Sequence, residues 1–231
     1  MLKVMQIRIK VYLLVEIPAE KMQAEIASLI DRSLVQDEYY AEYHERNQYK
    51  MYCLGSCYPV EADKIYKQGN IYTVTIRTID AGLARYFAER TVNSHTGMMK
   101  ALTSQVSVIA QRPIDILWTL TPAVIKCEGG YWRDFLSVEQ YEERLRVNLQ
   151  KKWNQYYGER QWGEFELFTG LEFLNQHPIA VEYKGIRLLG DKLRLHVAGN
   201  EKAQSLAQLA VGTGLAELNA RGAGFCNYRW I

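Results

Sequence analysis

The chain has 231 residues, of which 48% are hydrophobic, and a formal net charge of +2. That is enough apolar material for one large core or two small ones, and too little charge to coat nucleic acid by bulk attraction, so RNA affinity would need a local basic patch. Cys53, Cys57, Cys127 and Cys226 do not make a disulfide framework, and Cys53-x-x-x-Cys57 lacks the second pair of a zinc site. Lys3, Arg8, Lys10 and Glu16 interrupt the apolar amino terminus, so no signal peptide or membrane span is expected and a reduced cytoplasm is the simplest setting.

Ile7, Ile9, Val11 and Leu13 alternate with polar neighbours, the period of a half-buried strand. Pro18 suits a first helical turn, and Met22, Ile26, Ile30 and Leu34 then recur on one helical face. Strands are predicted near Lys50 to Cys57 and Ile71 to Ile79, a helix from about Ala81 to Thr91, and a strand from Gln105 to Gln111. The order is β-α-β-β-α-β.

After Pro113 the series restarts with a strand through Ile116, Trp118 and Leu120. Ser137 with Gln140 makes a capping-box signature for a long helix that turns Tyr141, Leu145, Leu149 and Trp153 inward and stops at Gly158. Strands near Phe165 to Phe173 and Val181 to Leu189 follow, and Gly190-Asp191 reads as a two-residue hairpin turn into Leu193, Leu195 and Val197. Asn200 caps a helix from Glu201 to about Val211. The pattern predicts an α+β protein of two tandem ferredoxin-like domains, residues 1–112 and 113–231.

The final segment, Gly212-Thr213-Gly214 through Gly222-Ala223-Gly224-Phe225, runs from helix to glycine loop to strand. A P-loop or dinucleotide fingerprint needs its glycines between a strand and the start of a helix, so both are excluded. The pattern Gly212-x-Gly214-x-x-Glu217-x-Asn219 with Gly224-Phe225 resembles the carboxy-terminal signature of the repeat-associated RNA-binding proteins. More narrowly, it resembles the CRISPR precursor-RNA endoribonucleases, the sixth of the CRISPR-associated protein families. Cys226 stands where that family usually has a last glycine, and the middle of the segment is longer. Thr119 to Val124 resembles the strand opening the family's second domain, and His44-Glu45-Arg46-Asn47-Gln48-Tyr49-Lys50 resembles its catalytic His-to-Lys stretch. Tandem ferredoxin-like domains are also what the resemblance implies.

Cutting RNA without a metal needs a group to take the 2′-hydroxyl proton, a group to protonate the departing 5′-oxygen, and positive charge at the phosphorus. Histidine can serve either proton role, and a fixed lysine can supply the charge. The resemblance assigns these tasks to His44 and Lys50, gives a 2′,3′-cyclic phosphate and a 5′-hydroxyl as products, and implies no cofactor or metal. A family tyrosine aligns near Asp31, with Tyr40 or Tyr43 as substitutes. His95, His177 and His196 read as incidental.

The resemblance also implies that the loop glycines, Gly212, Gly214, Gly222 and Gly224, approach RNA phosphates through bare NH groups, with Arg221 adding a charged contact. A basic hairpin carrying Lys184, Arg187, Lys192 and Arg194 would grip RNA backbone, and Arg144, Arg146, Lys151 and Lys152 make a second basic group on the long helix. The partners implied are CRISPR repeat RNA and other effector-complex subunits; monomer and homodimer both stay open. Two further readings stay open, a non-catalytic subunit holding guide RNA and an unrelated RNA-recognition-motif protein. The second lacks support, because Ile71 to Ile79 does not follow the basic-glycine-aromatic order of such motifs.

Overall fold

A computed structural model describes residues 2–183 and 185–231. Strand β1 (Val4–Leu13) buries Ile7, Ile9, Val11 and Leu13 and turns Arg8 and Lys10 outward, as its period-two pattern requires. Strand β2 (Ile17–Pro18) leads into helix α1 (Ala19–Leu34), where Pro18 is the N-cap and Met22, Ile26, Ile30 and Leu34 are buried. Helix α2 (Glu38–Glu45) follows, started by the Asp37 carboxylate accepting from the Tyr40 NH at 3.3 Å. His44, the first residue of the His-to-Lys stretch, thus lies on a helix. Strands β3 (Tyr52–Leu54), β4 (Ile65–Tyr66) and β5 (Ile71–Thr78), helix α3 (Ala81–Arg90) and strand β6 (Met99–Ile109) complete the first half. Its sheet has the antiparallel order β3-β5-β1-β6, while β2 pairs with β4.

The second half repeats the plan with strand β7 (Ile114–Thr119), helix α4 (Val138–Tyr157) and strands β8 (Phe168–Phe173), β9 (Ile179–Tyr183), β10 (Ile186–Gly190) and β11 (Leu193–Val197). Helix α5 (Glu201–Thr213) and strand β12 (Cys226–Trp230) close it. The Ser137–Gln140 capping box forms, Gly158 ends α4, and Asn200 caps α5. The sheet order β12-β7-β11-β8 places the unit's first and third strands centrally, as in the first sheet, which is the ferredoxin-like arrangement.

The Gly190-Asp191 pair is not a hairpin turn. Among the described residues, strand β10 pairs only with β9, while β11 pairs with β7 and β8. Gly190 is needed for close approach, since a Cβ there would lie 2.5 Å from the Ala123 carbonyl oxygen. Asp191 is a buried anchor that accepts from the Tyr131 hydroxyl at 2.7 Å, the Trp132 indole at 2.6 Å and the Asn175 amide at 2.8 Å. Lys184 lies outside the described residues.

Helix α5 ties the halves together. Every residue from Leu206 to Thr213 is buried, because one face meets its own sheet and the other meets β1, β3 and β5. All four cysteines are free, and burial pushes the Cys53, Cys57 and Cys226 thiols up to about 12. Among the described residues, no helix is long and apolar enough to cross a membrane.

Candidate active site and nucleic-acid interface

The end of α2 builds the site. Residues 46–50 fold back along the helix, so that the Lys50 ammonium donates to the carbonyl oxygens of Tyr43 at 2.5 Å and Arg46 at 2.7 Å. A cation is favoured there, because the last carbonyls of a helix have no intrahelical donor. Burial, with the positive charges of Arg221 and Arg46, holds Lys50 below the ordinary lysine range. The Tyr43 hydroxyl accepts from the Met51 NH at 2.7 Å and so pins the start of the next strand. His44, in the last turn of α2, directs Nδ1 at Oδ1 of Asp31 on α1, 3.6 Å away. The other oxygen of Asp31 accepts from the Arg221 guanidinium, which comes from the glycine segment.

Sequence reasoning brought His44, Lys50 and Arg221 forward, and the fold sets His44 and Arg221 on the two oxygens of Asp31 with Lys50 close enough to feel the Arg221 charge. Tyr40 is placed differently. Its ring packs on Tyr86 with centroids 3.9 Å apart, its hydroxyl faces the start of α3 beside Gly82, and burial first, then Asp80, raises its pKa. It serves packing between α2 and α3, and Tyr43 serves the strand entry.

The glycine segment is held from within. Lys152, 1% exposed on α4, donates to the Gly214 carbonyl oxygen at 2.8 Å, the Ala216 carbonyl oxygen at 3.0 Å and Asn219 Oδ1 at 2.6 Å. The Asn219 amide in turn donates to the carbonyls of Leu215 and Ala223. Lys152 therefore belongs to the core and not to a basic RNA-facing patch, and burial brings its pKa down to about 7.

The expectation of bare glycine NH groups does not hold for Gly214, Gly222 and Gly224. These donate to the carbonyls of Ala210, Asn219 and Pro122 at 2.8, 3.0 and 2.8 Å. Gly214 (φ +80°) turns the chain out of α5, and a Cβ on it would meet the Asn219 amide at 2.5 Å. Gly222 (φ +89°) leaves room for the Gln23 side chain of α1, and Gly224 for the Leu215 carbonyl. Gly212 lies inside α5, where a Cβ would stand 2.6 Å from Ile79 Cγ2. All four glycines are conformational or packing residues, and of the predicted loop contacts only Arg221 presents a polar side chain.

The family model for CRISPR associated protein Cas6, C-terminal, matches residues 107–228, over half of the chain. The chain belongs to the Cas6 family. Among solved structures, a CRISPR associated protein Cas6 superposes with a TM-score of 0.68 at 18% identity, covering 98% of this chain and 99% of that one. A RAMP protein described as binding different RNA substrates gives 0.74 at 19% identity, with 97% and 99% covered. Thermus thermophilus Cas6 gives 0.58 at 17% identity, with 99% of both chains covered. These likenesses establish the shared Cas6 fold of paired ferredoxin-like units. No curated protein matches the chain by sequence.

In this Cas6 chain a cleft of about 1430 Å³ runs between the outward face of the first sheet and the β9–β10 ribbon. Arg8, Lys10, Arg77 and Lys192 line it, and Arg221 lies on its wall while also reaching Asp31. Arg77 donates to the Cys226 carbonyl oxygen at 2.5 Å and stacks on Phe225, 4.6 Å from its centroid, so it is fixed in place. Arg8 and Lys10 were legible as the polar face of the first strand, but nothing local marked that face as one wall of a cleft.

The predicted basic hairpin is dispersed. Lys192 lines the cleft, Arg187 pairs with Glu182 at 3.4 Å on the ribbon, and Arg194 pairs with Glu172 at 3.0 Å on the second sheet. Sequence reasoning missed Lys152, Asn219 and Asp31 as site builders. Signals existed for Asp31, in its place on the first helix where the family tyrosine aligns, and for Asn219, in its place in the glycine signature.

Proposed function

We propose that the chain is an endoribonuclease that cuts CRISPR repeat RNA within a precursor transcript by attack of a 2′-hydroxyl on the neighbouring phosphorus, with no metal taking part. The observation that carries this reading is that Arg221, which lines a basic cleft, also reaches the end of α2, where it shares Asp31 with His44 and lies near Lys50. In the step itself the 2′-oxygen bonds to phosphorus, the bond to the 5′-oxygen breaks, one proton leaves the 2′-hydroxyl and one reaches the departing oxygen. The products are a 2′,3′-cyclic phosphate and a 5′-hydroxyl end.

His44 serves in proton transfer, since an imidazole exchanges protons near neutral pH. The Lys50 ammonium has three N–H bonds. Two are spent on the carbonyls of Tyr43 and Arg46, which aims the third at a phosphate oxygen. Arg221 adds a second cation for the charge that builds on phosphorus. Repeat RNA flanking the scissile phosphate lies in the cleft, where Arg8, Lys10 and Lys192 meet its backbone.

The test is incubation of the purified protein with repeat RNA in excess EDTA, beside RNA carrying one 2′-deoxy residue at each candidate position. Cleavage that a single 2′-deoxy residue blocks is the expected result. His44→Ala and Lys50→Ala should each slow it by about a hundredfold or more with repeat affinity retained. Tight binding without cleavage by the wild type refutes the nuclease and leaves a guide-holding subunit.

A further inference from the structure

We infer that Asp31 is a positioning residue, which fixes the orientation and tautomer of His44 and is itself set by Arg221 from the glycine segment. The inference rests on the endoribonuclease reading and adds the part that links the last loop to the proton-transfer group. Asp31 Oδ1 and His44 Nδ1 are both inaccessible to solvent, neither has a hydrogen-bond partner among the described residues, and they face each other at 3.6 Å. A neutral imidazole carries its proton on one nitrogen only. If the Nδ1 lone pair faced the carboxylate, two buried acceptors would oppose each other, so the proton sits on Nδ1 and the lone pair on Nε2. The His44 side chain is 22% exposed, and with Nδ1 inaccessible that exposure lies on the rest of the ring. The nitrogen offered to the 2′-hydroxyl is therefore Nε2.

Arg221 decides which carboxylate oxygen is free. It takes Oδ2 and leaves Oδ1 for the imidazole. When Nε2 gains the substrate proton, the imidazolium and Asp31 become an ion pair, and the 3.6 Å gap closes toward hydrogen-bond length. A carboxylate in this place orients the histidine; it does not touch the reacting atoms.

Asp31→Asn tests this with little change in shape. Arg221 donates, so it holds the amide oxygen and turns the amide NH2 toward His44 Nδ1, which then needs a lone pair there. The ¹⁵N imidazole shifts of His44 in the free protein should report the Nδ1–H tautomer in wild type and Nε2–H in D31N. Single-turnover cleavage should fall by about a hundredfold with the dissociation constant for uncleaved repeat RNA unchanged. Asp31→Glu, which restores a carboxylate, should recover part of the rate and the wild-type tautomer, and it keeps the test available if D31N does not fold. An unchanged tautomer in D31N, or a wild-type rate, overturns the role of Asp31 while a cleaving wild type leaves the nuclease reading standing. A wild type that does not cleave overturns that reading and the purpose of Asp31 with it.

Discussion

Lys152→Met removes the charge from the middle of the glycine segment and keeps most of the side chain's length. Three buried acceptors, the carbonyl oxygens of Gly214 and Ala216 and the Asn219 Oδ1, then lose their donor. At about 2 kcal/mol for each orphaned acceptor the loss is about 6 kcal/mol. Relief from holding an ammonium away from water offsets about half of it. The net destabilisation is about 3 kcal/mol, which lowers the urea midpoint by roughly 1 M. Equilibrium unfolding followed by tryptophan fluorescence reads this directly. RNA cleavage, measured on folded protein in the absence of urea, should fall as well, because Arg221 and its contact with Asp31 depend on the same segment. An unchanged midpoint would mean that the three oxygens find other donors, and the account of how this loop is held would fail.

The same residue sets a pH dependence. Burial holds the Lys152 amine near 7, whereas the unfolded chain keeps that proton to about 10.4, so the unfolded state binds more protons between these values and stability rises with pH across the window. The stability gap between wild type and K152M should widen from pH 7 to pH 9, by up to about 1.4 kcal/mol per pH unit; a gap that narrows would contradict the sign. Gly212→Ala pushes a methyl against Ile79 and Val4, and should cost about 1 to 3 kcal/mol in thermal or urea unfolding with RNA affinity of the folded fraction unchanged. Gly222→Ala strains a positive-φ position and displaces Gln23, so cleavage should drop more than binding as Arg221 moves off Asp31; equal losses of both would count against that link. Asp191→Asn replaces one of two acceptor oxygens with an NH2 that must face the Trp132 indole or the Asn175 amide, both donors, and should lower stability by about 2 to 4 kcal/mol while cleavage at 25 °C persists.

What was legible in the sequence had a local cause. The alternation around Ile9, the Ser137–Gln140 capping box and the Asn200 cap each involve neighbours a few residues apart, and each forms as read. Helix α2 escaped because it buries no residue completely, so it has no apolar stripe to read. The glycines were visible as a group but not by task. Gly212 answers to Val4 and Ile79, which lie in the other half of the chain. Lys152 read as one of several cations on a helix, and only its distant acceptors show that it points inward. His44 and Lys50 were identified through resemblance, while Asp31 emerged from the geometry.

The burial of α5 against the first sheet also bears on synthesis. The first half of the chain leaves the ribosome without the helix that covers one side of β1, β3 and β5, and without the arginine that reaches Asp31. Until translation passes residue 221, the histidine and lysine exist in the nascent chain but the arrangement around them does not. The arrangement proposed to cut RNA is thus completed only after Arg221 has been made and has reached Asp31.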